Sequence, residues 1–174
     1  SEKIMVNINN VRFDLIFGAF LAVIIVFLFL RNVTATFVSA LAIPTSVIGT
    51  FAIIDALGYD LNRLTLIGLT LAIGIFIDDA IVVIENIMKK MESGMEPFRA
   101  SFEGAKEVSF SVLAISSVLL AVFIPVAFMD GIVGMFFNSF AMTVAAGIVI
   151  SYFVAIMFIP SIAARVLSSK ESGF

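Results

Sequence analysis

The sequence predicts an all-α fold, a polytopic bundle of about five membrane-spanning helices. Three observations carry that reading. Of the 174 residues 61% are apolar and only 13% charged, and the mean hydropathy is +1.19. Soluble domains sit near half apolar and a quarter charged. The apolar residues gather into runs of about 20, the length that crosses the hydrocarbon core of a bilayer as a helix. The runs are continuous, whereas a membrane barrel would alternate; in lipid only those two architectures satisfy their own backbone groups.

The elements follow in order. A polar lead-in occupies residues 1–12, and the helix bundle occupies 13–167. The first run is 13–30, ended by Arg31 and Asn32. The second is 33–57 with Pro44 inside it, and the third is 64–87. A charged stretch, Lys89 to Glu107, comes next. Pro97 after "ESGME" suits a first helical turn, so a short interfacial helix is expected at about 96–105, leading into the fourth run at 108–129. The fifth run, 132–167, is too long for one straight span, and Pro160 is expected to kink or stop it. Residues 168–174 form a tail.

Five spans place the two ends of the chain on opposite sides. One side then holds Arg31, Lys89, Lys90, Arg99, Lys106, Arg165 and Lys170, and the other holds Lys3, Arg12 and Arg63. The richer side is cytoplasmic by the positive-inside bias, which makes residues 168–174 a cytoplasmic tail. Cysteine and histidine are absent. Disulfides, thiolate chemistry, most zinc sites and the usual Ser-His or Cys-His nucleophile pairs are thereby excluded. A net charge of −3 with no basic stripe points away from nucleic acid. The chain starts at Ser1 without a cleavable signal pattern and reads as a fragment.

The third run contains "GIFIDDAIVVIEN", Gly74 to Asn86, with Asp78 and Asp79 side by side among apolar residues. On insertion scales two central aspartates cost about 5 to 7 kcal/mol. The run's 14 Leu, Ile, Val and Phe residues return roughly 4 to 8 kcal/mol. The helix can insert, and its acidic face wants protein or water beside it. A helical wheel at ~100° per residue gathers Gly68, Thr70, Ala72, Gly74, Asp78, Asp79, Glu85 and Asn86 on one arc. Leu66, Leu69, Ile73, Phe76, Ala80, Val83, Ile84 and Ile87 fill the opposite arc. The small and polar arc is expected to face a bundle interior, and the other lipid or apolar neighbours.

Intramembrane acids mark ion pathways. A carboxylate in a membrane loses its charge, and the penalty on that charge, when it binds a proton. Asp78 and Asp79 are therefore the candidate proton-relay residues, with Thr70 and Glu85 as candidates for a hydrated path. The bland alternatives are a carboxylate pair salt-bridged for assembly and a Glu85 that only marks the cytoplasmic interface. Every Lys and Arg lies at the end of a run or outside one, so the sequence offers the pair no internal cation. Gly68, Gly74, Gly147 and Ser151 are candidates for helix packing. The stripes Gly147–Ser151–Ala155 and Ser39–Ala42–Ser46–Gly49 read the same way. Met88, Met91 and Met95 could suggest a soft-metal site, but the apolar side of an interfacial segment explains them. No metal site and no cofactor are expected.

Several stretches together resemble a known family: "GAFLAVIIVFLFLRN", "AIPTSVIGTF", "LAIGIFIDDAIVVIENI", "FEGAKEVSFSVLAISSVLLAVFIPVAFM" and "FIPSIAARVL". They are similar, in order, to the transmembrane region of resistance-nodulation-division (RND) multidrug efflux pumps of the hydrophobe/amphiphile, AcrB-like type. The resemblance implies helices two to six of a twelve-helix protomer, half of an RND transmembrane domain, with residues 1–12 as the end of a porter region. It implies a secondary active transporter rather than an enzyme, exchanging drug for protons. The paired aspartates, here Asp78 and Asp79, would bind and release the coupling protons, paired with a lysine from the second half of the protomer. The implied setting is the bacterial inner membrane, as a homotrimer with a periplasmic adaptor and an outer-membrane channel. The chain itself would touch membrane lipid and either the remaining half of the protomer or another copy. Porter domains and partner lysine are missing from the sequence, so transport by the fragment alone is not expected. Two other readings stand beside this one: a non-transporting membrane scaffold, and a relative that exports protein or lipid on the same relay.

Overall fold

A computed structural model describes residues 32–171 together with nine positions between 16 and 28. All nine are helical, in the first expected span. The lead-in at 1–12, residues 172–174 and the side chains of 168–171 lie outside the described residues. Four helices among those described are long and apolar enough to cross a membrane.

Helix α1 spans Val33–Ala56. Asn32 caps it, its Oδ1 accepting the N–H groups of Thr34 and Ala35 at 2.9 and 3.2 Å. Pro44 lies inside α1 without ending it. The end is set by Gly58, whose φ of +76° is the left-handed conformation a helix C-terminus favours. The Tyr59 N–H then reaches back to the Ile54 carbonyl at 3.1 Å. Helix α2 spans Arg63–Glu92 and opens on a capping box of Asn62 and Thr65.

Helix α3 runs without a break over Pro97–Ala127. The separate interfacial helix expected at 96–105 is therefore corrected: those residues are the first turns of the same rod that becomes the fourth span. Nothing in "FRASFEGAKEV" stops a helix except Gly104, and Gly104 is where α3 meets α2. A Cβ there would lie 3.0 Å from the Ile87 Cα. At 31 residues, α3 is roughly 46 Å long at 1.5 Å per residue, longer than a bilayer's hydrocarbon core. Its charged start thus stands clear of the apolar part. There the Asn86 side-chain N–H donates to the Gly104 carbonyl at 2.8 Å and to Glu107 Oε2 at 3.0 Å. Lys90 Nζ lies 2.8 Å from the same oxygen.

Helix α4 spans Gly131–Phe153, a π turn follows at Val154–Phe158, and α5 continues over Ile159–Glu171. Pro160 was expected to kink or stop this run; the helix does not stop there, and it changes to a π turn just before the proline. Proline lacks the N–H of a regular ladder and its ring crowds the preceding turn. The wider π turn directly before it relieves that crowding.

The core lies along α2. Ala80, Val83, Ile84 and Ile87 pack with Ala35, Val38 and Ala42 of α1, with Val112 of α3 and with Ala155 and Ile159 beyond α4. Small residues bring the rods together. A Cβ at Gly68 would lie 2.9 Å from the Phe140 carbonyl oxygen, and one at Gly147 would lie 2.9 Å from the Ala72 Cβ. Around this core α3 turns Phe110, Ile115, Val118 and Val122 outward, an apolar face suited to hydrocarbon.

Candidate functional site

The two aspartates do not share an environment. Asp79 is 5% exposed, whereas Asp78 lies on the open surface of the chain. Helical geometry demands a difference, because neighbouring residues point ~100° apart. Asp79 follows the buried line of Gly68, Ala72 and Phe76, while Asp78 follows the exposed line of Thr70 and Gly74.

Into the buried position α4 sends one hydroxyl. Ser151 is 1% exposed, and its Oγ donates to Asp79 Oδ2 at 2.6 Å. Such a bond to a carboxylate is charge-assisted and among the stronger kinds. Gly147, one turn earlier on α4, lets that helix close on Ala72 and Phe76, which sets the distance Ser151 must span. Among the described residues no cation reaches either aspartate: the ion pairs there are Lys90–Glu107 and Arg99–Glu103. No group of three or more His, Cys, Asp or Glu among those residues could hold a metal ion.

The buried and exposed sides of α2 correct the helical wheel. Its polar arc does not face one neighbour. Gly68, Ala72 and Asp79 point into the bundle, while Thr70, Gly74, Asp78 and Glu85 point out of it. The opposite arc of Leu69, Ile73, Phe76, Ala80, Val83, Ile84 and Ile87 is buried in helix contacts rather than turned to lipid. Thr70 satisfies itself on the Leu66 carbonyl at 2.9 Å, and Glu85 is exposed at the charged end of α2. Neither is brought to Asp79. Of the four packing candidates, Gly68 and Gly147 sit in tight contacts, Gly74 faces open space, and Ser151 is a hydrogen-bond donor to the buried acid. That role was readable in one respect: Ser151 is the single polar member of the stripe Gly147–Ser151–Ala155.

The geometry amounts to a buried carboxylate with one protein donor, beside a second carboxylate that opens on an uncovered face. Such a site can take up and give back a cation as small as a proton. A model of the AcrB/AcrD/AcrF family matches residues 1–173. Over 167 residues the chain is 45% identical to "Multidrug resistance protein MdtC" of Pectobacterium atrosepticum. That likeness takes in 96% of this chain and 16% of the relative, so the chain spans about a sixth of the length of that protein.

Proposed function

The chain belongs to the AcrB/AcrD/AcrF family, and from that premise we propose that it is the proton-relay part of a proton-driven RND multidrug efflux transporter of the bacterial inner membrane. The relative's name speaks of multidrug resistance, and the proposal extends that setting to this segment. The observation that carries it is the seat of Asp79, 5% exposed near the middle of a 30-residue apolar helix and held by one hydroxyl.

The residues divide the work. Asp79 holds the proton: with it the carboxyl is neutral and suits its surroundings, and without it the carboxylate keeps the charge and accepts the Ser151 hydroxyl. Asp78 stands one position earlier on the uncovered face and hands protons between Asp79 and whatever packs there. In the family setting that partner is a lysine from the second half of the protomer. The chain supplies half of the relay, and the transporter is a homotrimer joined to a periplasmic adaptor and an outer-membrane channel. No cofactor besides the coupling proton is needed.

The test places Asp78→Asn and Asp79→Asn singly in a full-length transporter carrying this segment. Drug resistance and substrate-induced proton flux should be lost while expression and trimer assembly remain. Normal resistance at normal expression in either variant removes that residue from the relay.

A further inference from the structure

Hydroxyls in this bundle follow a habit. Eight among the described residues, Thr50 and Thr143 included, donate to the carbonyl four residues back on their own helix at 2.6 to 2.9 Å. Ser151 departs from the habit to serve Asp79. Three more depart with no partner at all: Ser39, Ser46 and Ser116 are buried and make no hydrogen bond. A buried hydroxyl left unbonded forfeits its hydration without return.

Two of the three share a face of α1. Ser39 and Ser46 are two turns apart, about 20° from one another around the axis, and are 2% and 0% exposed. Val38 and Ala42, which flank Ser39, pack in one cluster with Ala80 and Val83, the residues that follow Asp79. Ile43 and Val47, which flank Ser46, pack with Ala72, Ile73 and Phe76. Ser39 lies nearer the start of α1, and Ser46 nearer the turn between α1 and α2. Val154 and Ala155 of the π turn join the first cluster. Pro160 withholds one N–H from that turn.

We propose that the seam between α1, α2 and the π turn is an internal water site anchored by Ser39 and Ser46. Water suits it chemically. A hydroxyl both donates and accepts, and a buried water binds about three polar groups. Two such groups are the Ser39 and Ser46 hydroxyls, which make no other hydrogen bond.

Water-to-protein magnetisation transfer, measured by solid-state NMR on the chain in liposomes, tests this. Ser39, Ser46 and the Ala42 amide should receive polarisation from water, while Val83 and Ile84 in the dry core receive none. The Ser39→Ala/Ser46→Ala double variant should lose the transfer at Ala42. Transfer to the two serines no faster than to Val83 overturns the proposal: the hydroxyls would then turn to the carbonyls of Ala35 and Ala42, as the other eight do. Transfer at Ala42 that survives in a folded double variant overturns the anchoring role of the serines. The wild-type spectrum decides alone, so a variant that fails to fold does not rescue the idea. No proton movement is measured, and failure here leaves the relay reading of Asp78 and Asp79 untouched.

Discussion

Gly68 and Gly74 stand on one helix, and what faces them differs. A Cβ at Gly68 would lie 2.9 Å from the Phe140 carbonyl oxygen and 3.3 Å from the Phe140 ring and the Thr143 Cβ. At Gly74 nothing lies within 4 Å. Replacing either by alanine gains the same helix propensity, about 1 kcal/mol. Overpacking adds ~1 to 3 kcal/mol of cost at Gly68 alone. The obstacle there is backbone, which cannot swing aside as a side chain can, so α2 and α4 must separate. Gly74→Ala should therefore stabilise the isolated chain by up to ~1 kcal/mol, and Gly68→Ala should fall between neutral and about 2 kcal/mol destabilising. The difference between the two variants cancels propensity and reads the overpacking directly. Reversible unfolding in mixed micelles, with denaturing detergent as the titrant, measures it. Variants alike within ~0.5 kcal/mol, the scatter of ordinary surface changes, would show that α2 and α4 do not meet this closely at Gly68.

Two further outcomes follow from the site and the sequence. A double-mutant cycle on Ser151→Ala and Asp79→Ala should return a coupling of about 0.5 to 3 kcal/mol, the span from hydrogen bonds between neutral groups to those with a charged partner; coupling near zero would mean that the 2.6 Å bond carries no stability. Single cysteines at Asp60 and Ser93, in the turns at either end of α2, should be labelled from opposite sides of a sealed vesicle, Ser93 from the cytoplasmic one; labelling of both from one side would overturn the crossing of α2, and labelling of Ser93 from the other side would overturn the orientation drawn from the positive residues.

The sequence made the helices legible because length and hydropathy decide them. The structure starts α1 and α2 after the caps Asn32 and Asn62 and α3 at Pro97, and the two asparagine caps are signals that a reading by apolar runs does not use. That reading missed that 97–107 belongs to the rod of the following span. A charged stretch signals where the membrane ends, not where a helix ends, and only the contact of Gly104 with Ile87 shows why α3 stays whole. Pro160 did not stop the helix, for a similar reason: the penalty of a proline in a helix is local, and a π turn stands directly before it.

The wheel failed at a deeper level. In water the inside of a bundle is apolar and the outside polar, so a helical pattern names the buried face. In lipid both sides of a helix can be apolar, and the inside is marked by small residues as much as by polar ones. Leu69, Phe76 and Val83 are core residues here, though nothing in their chemistry separates them from lipid-facing ones. What the pattern did hold was a strip that hydrocarbon would reject. Thr70, Gly74, Asp78 and Glu85 all lie exposed along one side of α2, and a single aspartate at membrane depth costs about 2.5 to 3.5 kcal/mol against lipid. That side is consequently turned towards protein or water. Gly74, open in the isolated chain, is the small residue at which another helix could approach Asp78. If one does, Gly74→Ala should change from neutral or stabilising in the isolated chain to costly in the full-length transporter, and that reversal would mark the face through which Asp78 meets its partner.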